Sequence, residues 1–197
     1  MIVQELDLPG VLLLTPAVHE DARGYFLESF RAEEFARLGI RRPFVQENEA
    51  FTVKAGTIRG LHWQAPPHAQ AKLVRVLSGV IWDVVADVCP TSPNYGKWVG
   101  VTLDARERAS LYIPAGYAHG YVTRTPDTLV AYKVDRYYAP ESERSVRWDD
   151  PGLSVRWDVT DPILSAKDAA APLLDAVRAE DFPEDFPEDF WLGTQEK

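Results

Sequence analysis

The sequence predicts an all-β fold, because strand signals dominate the chain and turn residues separate them at short intervals. Four segments are rich in the β-branched and aromatic residues that suit a pleated sheet. They are residues 73–77, 80–88, 98–103 and 129–134. Turn signals such as Ser78-Gly79 and Pro93-Asn94 lie between them. Short strands at this spacing are typical of a β-sandwich or a closed barrel.

Helical signals are few, and the first in chain order is a short helix predicted over residues 32–38. Its residues are good helix formers, and Gly39 follows as a stop signal. A second candidate covers residues 166–177, where Pro172 breaks the helix or begins it afresh because proline lacks a backbone N–H.

The predicted strand at residues 80–88 carries two acids among apolar residues. Asp83 and Asp87 share one face with Ile81 and Val85, since alternate residues of a strand point the same way. An acid on such a strand lies either in a polar lumen or at a solvated edge.

The chain is predicted to form one domain over residues 1–178, followed by an acidic tail over residues 179–197. No linker-like change of composition divides the body. Residues 180–190 repeat the pattern Glu-Asp-Phe-Pro, and charge runs of this kind are usually solvated. We therefore favour a solvated tail, whose phenylalanines pack on the domain or a partner subunit, over an acidic docking segment.

Charge and cysteine content exclude several classes of partner and compartment. A net charge of −9 argues against nucleic acid or an anionic membrane as the main partner, although a pocket can still bind a small anion. The single cysteine, Cys89, cannot form an internal disulfide, which fits the reducing cytoplasm. We find no signal peptide and no apolar run long enough to cross a membrane.

Two of the four histidines lie in glycine-punctuated segments. His62 lies in G-T-I-R-G-L-H-W-Q and His119 in I-P-A-G-Y-A-H-G-Y. The Pro-x-Gly-x-x-His pattern before His119 resembles the second motif of the cupins, a superfamily of small β-barrels. Metal-binding cupins also have a His-x-His and a glutamate, but here Gln64 follows in place of the second histidine and Lys72 occupies the carboxylate position. An ammonium group repels a divalent cation, so no metal and no other cofactor are predicted.

Without a metal, the same residues suit proton transfer beside a ketone. A neutral imidazole such as that of His62 has a suitable pKa to take the proton, and a carboxylate from Asp83 or Asp168 can orient it. The ammonium of Lys72 can stabilise the resulting enolate. Inversion also needs an acid on the opposite face, and Tyr132 on the last predicted strand is the candidate.

As a set, nine stretches resemble the dTDP-4-dehydrorhamnose 3,5-epimerase family in order and almost without gaps, over most of the chain. They include D-A-R-G-Y-F-L-E-S-F, F-V-Q-E-N, R-G-L-H-W-Q, Q-A-K-L-V-R-V, S-P-N-Y-G-K-W, I-P-A-G-Y-A-H-G-Y, A-Y-K-V-D-R-Y-Y-A-P-E-S-E-R, R-W-D-D-P and P-I-L-S-A-K-D. The resemblance implies a cupin-type jelly-roll barrel with a few short helices, mainly C-terminal. It also implies a homodimer that exchanges β-strands.

The resemblance further implies a role for each matching residue. His62 is the base, Tyr132 the acid and Asp168 the partner of His62, while Lys72 lies near the sugar ketone. The cations implied to contact the diphosphate are Arg23, Arg59 and Lys167. The residues implied to contact the base or sugar are Phe26, Glu28, Gln46, Glu47, Asn48, His119, Tyr138 and Glu143, with Phe26 and Tyr138 stacking on thymine. The exchanged strands would place Arg23, Phe26 and Glu28 in the neighbour's pocket.

Two departures from the family pattern concern the loop on the nucleotide side. Ala50 and Thr52 stand where the family often has serines, and one extra residue lies between Asn48 and Arg59. These changes affect recognition of the base and leave the proton chemistry intact.

The activity implied is a cofactor-free epimerase that inverts carbons 3 and 5 of dTDP-4-keto-6-deoxyglucose, with no nucleic-acid or membrane partner. The main alternative is a relative that inverts a single carbon for a natural-product deoxysugar. A metal-dependent cupin enzyme and a non-catalytic nucleotide-sugar binder are the remaining readings. If these residues are not catalytic, Tyr132 is an ordinary half-buried tyrosine and Asp168 is an acid favoured at the start of a helix.

Overall fold

Two antiparallel sheets enclose the main hydrophobic core in the computed structural model, which describes residues 1–183. In chain order the strands are β1 (Ile2–Glu5), β2 (Leu12–Thr15), β3 (Val18–Asp21), β4 (Gly24–Leu27), β5 (Gln46–Thr52), β6 (Ile58–Gln64), β7 (Lys72–Ser78), β8 (Val80–Ala86), β9 (Trp98–Asp104), β10 (Ser110–Ile113), β11 (Ala118–Thr123), β12 (Thr128–Val134) and β13 (Glu143–Ser145). The four segments predicted from composition correspond to β7, β8, β9 and β12, which confirms the all-β prediction.

The strand order is that of a jelly-roll sandwich. A six-stranded sheet has the order β1-β2-β10-β7-β12-β5, and a five-stranded sheet has the order β13-β6-β11-β8-β9. Strands β3 and β4 form a separate hairpin. Side chains such as Val74 and Leu111 from the first sheet, and Leu61 and Val84 from the second, are fully buried in one cluster. Burying such side chains contributes about 1.5–3 kcal/mol each to folding.

The helices are short and lie mainly toward the C-terminus, as predicted. Helix α1 (Ala32–Arg37) is followed by Gly39, whose φ of 86° suits glycine. The second helical signal forms only helix α2 (Ala166–Ala169), and Pro172 separates it from a 3-10 turn at Leu174–Ala176. Further 3-10 turns lie at Pro140–Ser142 and Ala179–Asp181. Within the described residues, no helix has the length and apolar character needed to cross a membrane.

A pair of glycines brings β6 and β11 close together beside the two predicted histidines. A Cβ at Gly60 would lie only 2.5 Å from the Gly120 Cα atom, and the φ of Gly60 is +120°. No other residue type fits there without moving the backbone. The close approach places His62 directly opposite His119 in the strand register.

The first residues of the predicted tail pack against the domain. The ring of Phe182 is buried and stacks on Trp63 with centroids 5.6 Å apart, and Asp181 forms a 2.6 Å ion pair with Arg144. Residues 184–197, with most of the acidic repeat, lie outside the described residues, so the division at residue 178 stays a prediction.

Candidate active site

A cavity of about 420 Å³ opens between the two sheets and gathers most of the predicted catalytic and binding residues. Those that line it are Arg59, His62, Lys72, His119, Tyr132, Tyr138, Glu143, Lys167 and Asp168. They come from β6, β7, β11, β12, β13, α2 and, for Tyr138, the segment after β12, so the folded barrel is needed to bring them together. A cavity of this size, with several convergent polar groups, is typical of a small-molecule site.

His62 and Asp168 form a hydrogen-bonded pair in this cavity. The imidazole Nε2 lies 2.5 Å from the Asp168 Oδ1, and the Asp168 residue is 3% exposed. Burial by itself would raise the pKa of Asp168, but the bonds from His62 and Ser165 outweigh it and hold the pKa below its usual value. The carboxylate is therefore ionised and accepts the Nε2–H, which leaves Nδ1 of a neutral His62 as a proton acceptor.

Ser165 fixes the other side of the Asp168 carboxylate and was missed by the sequence reasoning. Its hydroxyl donates to Asp168 Oδ2 over 2.9 Å and accepts the Asp168 backbone N–H over 3.0 Å, as an N-cap of α2. The spacing Ser-x-x-Asp before a helix was the available signal.

Lys72 projects from β7 toward His62. Its Nζ donates to the backbone carbonyl of His62 over 3.2 Å. Burial lowers the pKa of Lys72 to about 8, although the negative charges of Asp83 and Glu143 partly oppose this shift. An ammonium group in such a site interacts strongly with any negative charge that develops beside it.

His119 has its own carboxylate partner, Asp83. Of the two acids considered for His62, Asp168 therefore pairs with His62 and Asp83 pairs with His119. The His119 Nε2 lies 2.6 Å from the Asp83 Oδ1, and Asp83 is fully buried. Burial lowers the pKa of His119 against the opposing effect of Asp83. Asp83 therefore lies in the polar interior of the barrel. The alternative that the sequence left open, a solvated edge, is wrong.

Tyr132 faces the cavity from the sheet opposite to His62. It lies on β12 of the six-stranded sheet, beside the cavity-lining Val74 of β7, whereas His62 lies on β6 of the five-stranded sheet. Burial raises the pKa of the Tyr132 phenol, so the group is protonated at neutral pH. A ligand held between the sheets would therefore meet the His62 imidazole and the Tyr132 phenol on opposite faces.

Polar residues at the cavity mouth form a connected network. The Tyr138 hydroxyl donates to Glu143 Oε2 over 2.8 Å, and Lys167 forms an ion pair with the same carboxylate. Burial opposes ionisation of Glu143, but Lys167 and Tyr138 together lower its pKa. Gln46 accepts the Tyr138 backbone N–H over 3.1 Å and donates to Asn48 over 2.8 Å.

Six residues predicted to bind substrate do not line the cavity of a single chain, and two of them, Gln46 and Asn48, share the β5 face of the cavity-lining Ala50. Glu47 lies on the opposite face of β5 from the cavity-lining Ala50 and pairs with Lys133 over 2.7 Å. Strand alternation makes this unavoidable, since Glu47 and Ala50 are an odd number of residues apart. Arg23, Phe26 and Glu28 lie on or just after the β3–β4 hairpin, where Phe26 is 71% exposed.

The sequence reasoning also left out Tyr121, which lines the cavity from β11 beside His119. Tyr121 is quoted in the His119 motif, but a tyrosine on a strand gives no signal that separates a core residue from a site residue. Within residues 1–183, no group of three or more His, Cys, Asp or Glu side chains is arranged to hold a metal ion.

The known proteins that this chain resembles in sequence and in structure are dTDP-sugar epimerases. A sequence profile described as dTDP-4-dehydrorhamnose 3,5-epimerase matches residues 5–176. The Salmonella typhimurium protein of that name is 45% identical over 177 residues, 89% of this chain and 96% of the relative. A Bacillus anthracis crystal structure of that name, with TDP and PPi bound, has a TM-score of 0.85 and 43% identity, over 87% of this chain and 98% of the other. A Legionella pneumophila epimerase in complex with dTDP-4-keto-L-rhamnose has a TM-score of 0.87 and 40% identity, over 92% of this chain and 97% of the other.

Proposed function

The chain belongs to the dTDP-4-dehydrorhamnose 3,5-epimerase family, and on that premise we propose that it inverts carbons 3 and 5 of dTDP-4-keto-6-deoxyglucose. The observation that carries the proposal is the placement of His62, with its partner Asp168, across the cavity from Tyr132. This arrangement suits removal of a proton from one face of the sugar and return of a proton to the other.

His62 acts as the base at each carbon beside the ketone. Its Nδ1 takes the proton, and the Asp168 carboxylate on Nε2 stabilises the imidazolium that forms. The electron pair left on carbon moves into the ketone, and the negative charge collects on the oxygen. The ammonium of Lys72, which lies beside His62, stabilises this enolate oxygen.

Tyr132 acts as the acid that returns a proton to the opposite face. Its raised pKa keeps the phenol protonated before the step, and the proton moves to carbon as the enolate collapses to the ketone. The charge left on the phenolate is then neutralised by the proton that His62 carried away, through solvent in the open cavity. No redox cofactor is required, because the ketone itself accepts and returns the electron pair.

The rest of the substrate is proposed to lie along the cavity mouth. Arg59 and Lys167 contact the diphosphate, and Tyr138 stacks on the thymine with hydrogen bonds from the residues around it. The residues that make these hydrogen bonds are Gln46, Asn48 and Glu143. His119 binds the sugar, and Glu47 supports β5 from its other face.

A homodimer is proposed to complete the nucleotide side of the site. The β3–β4 hairpin pairs with no other strand of the described chain, and the Phe26 ring is largely exposed. If the hairpin inserts into a second copy, Arg23, Phe26 and Glu28 reach that copy's diphosphate and base. We also propose a place in dTDP-sugar biosynthesis in the cytoplasm, in line with the buried, unpaired Cys89.

The test is incubation with dTDP-4-keto-6-deoxyglucose in heavy water, followed by NMR and mass spectrometry of the recovered sugar. We expect deuterium at carbons 3 and 5 with both centres inverted, and no exchange with a Tyr132→Phe/His62→Asn double variant. Inversion at carbon 3 alone would replace this proposal with a mono-epimerase. Tight binding without any exchange would replace it with a non-catalytic binder.

A further inference from the structure

Two residues near the end of the described chain, Asp181 and Phe182, pack against the strand pair β6 and β13. The Phe182 ring is buried and stacks on Trp63 of β6, with centroids 5.6 Å apart and an angle of 16° between the ring planes. Asp181 Oδ1 accepts the Nε–H of Arg144 on β13 over 2.6 Å, and the Asp181 backbone carbonyl accepts the Trp63 Nε1–H over 3.3 Å. This dipeptide therefore contacts both strands at once.

The two side chains that the dipeptide contacts are the sequence neighbours of proposed site residues. Trp63 follows His62 on β6, and Arg144 follows Glu143 on β13. The strand register places Trp63 opposite Arg144. Because successive residues of a strand point to opposite faces, these two side chains lie on the reverse side of the strand pair from those of His62 and Glu143. The dipeptide therefore holds the two strands together from behind the groups proposed to meet the substrate.

Strand β13 is the less firmly held of the two strands. It has three residues and lies at the edge of the five-stranded sheet, where β6 is its partner, whereas β6 lies between β13 and β11. A short edge strand with one neighbour opens more easily than a strand inside a sheet. A shift of β13 would move Glu143, whose carboxylate accepts the Tyr138 hydroxyl and pairs with Lys167 at the cavity mouth.

We propose that Asp181 and Phe182 are positioning residues for the nucleotide side of the active site, which hold β13 against β6 and thereby fix the Glu143 carboxylate. The inference rests on the proposed function, because the role of Glu143 in binding the nucleotide comes from there. The sequence profile that matches the chain ends at residue 176, so it assigns no role to either residue. Neither residue lines the cavity, so both act through the strands that they contact.

The test is the Kd for dTDP, measured by calorimetry on the full chain. Phe182→Ala removes the ring stack, and Asp181→Ala removes the bond to Arg144. Each variant is expected to raise the Kd about 5-fold, because Glu143 is no longer held in place. In the epimerase assay the KM should rise with the Kd while kcat changes by less than about 2-fold, since β6 keeps a partner on both sides. Asp181→Asn keeps an oxygen for the Arg144 Nε–H and is expected to retain the wild-type Kd.

Leu174→Ala is the matched control for loss of packing. Leu174 is a buried apolar residue of the same C-terminal segment, and its Cδ2 lies 3.3 Å from where a Cβ on Gly152 would be. This variant is expected to lower the Tm, as Phe182→Ala does, and to leave the Kd for dTDP unchanged. A double variant Asp181→Ala/Arg144→Ala should bind dTDP no more weakly than Arg144→Ala, because Asp181 acts through Arg144.

Two results would overturn the inference. An unchanged Kd in Phe182→Ala and Asp181→Ala, together with a lower Tm, would make the dipeptide an ordinary part of the packing. An equal rise of the Kd in Leu174→Ala would assign the effect to a general loss of stability. Binding of dTDP does not require turnover, so absence of deuterium exchange in the wild type would refute the proposed function separately.

Discussion

The cavity between the sheets and the β3–β4 hairpin carry two halves of the predicted site, and they differ in what one chain can complete. In the cavity, His62, Asp168, Lys72 and Tyr132 converge and the first two are hydrogen-bonded. On the hairpin, the Arg23 side chain is 90% exposed and pairs only with its neighbour Asp21 among the contacts seen in the described chain.

The cavity holds the groups proposed for proton transfer, whereas the hairpin holds groups proposed to recognise the nucleotide. Proton transfer needs groups held to a fraction of an ångström, and the packed barrel with its buried carboxylates provides that rigidity. Contacts to the distant nucleotide tolerate more freedom, so they can come from a second chain. We therefore expect variants of the cavity to lose turnover and variants of the hairpin to lose substrate binding.

The largest effect is expected from removing the proposed base. His62→Asn should lower kcat by about 10³-fold or more, because it removes the imidazole that is proposed to take the proton. His68→Asn is the control, since the His68 side chain is partly exposed and pairs weakly with Glu141 over 3.6 Å. Steady-state assays at saturating substrate would measure both, and a comparable loss in the control would contradict the assignment.

A second, smaller loss is expected from Lys72→Met, by about 10²-fold in kcat/KM. The protonated ammonium is the form that stabilises the enolate, and burial lowers the Lys72 pKa to about 8. The wild-type kcat/KM should therefore fall as the pH rises through about 8. A pH profile of Lys72→Met that keeps the same alkaline decline would show that another group titrates there.

The hairpin should affect substrate binding more than turnover. A double variant Arg23→Ala/Phe26→Ala is expected to raise KM by about 10-fold or more with little change in kcat, because it removes the proposed phosphate contact and the proposed stacking surface. If the hairpin serves the partner, mixing this variant with His62→Asn should restore activity at low substrate. In the mixed dimer, one site has an intact base and receives an intact hairpin. Absence of restoration, with exchange of subunits verified, would place the hairpin in its own chain's site.

The smallest effect is expected from Arg108, which holds the hairpin against the barrel. Its guanidinium lies 3.9 Å from the centroid of the Tyr25 ring, and its Nη2 lies 3.5 Å from a carboxylate oxygen of Glu20. Arg108→Gln should raise KM about 3-fold with unchanged kcat, because a cation–π contact of about 1 kcal/mol is lost. Arg106→Gln is the matched control from the same turn, since Arg106 is 87% exposed and pairs with Asp104. Equal KM values for the two variants would count against a positioning role.

Much of the fold followed from local patterns. The four predicted strands, the helix before Gly39 and the break at Pro172 all reflect preferences that neighbouring residues impose on the backbone. The histidine motifs and the family resemblance also identified nine of the residues that line the cavity, since motif spacing is a property of the chain alone.

The tertiary structure decided how those residues pair. From the sequence alone, either Asp83 or Asp168 could pair with His62. In the structure α2 packs against β6, so Asp168 pairs with His62 and Asp83 pairs with His119. Partners separated by 106 positions leave no local signal. The sequence by itself thus determined which groups of this protein are the candidates for carrying protons and charge. The three-dimensional fold determined which of them touch, that Glu47 faces away from Ala50 and that Tyr121 lines the cavity, because burial and long-range pairing exist only once the sheets have closed.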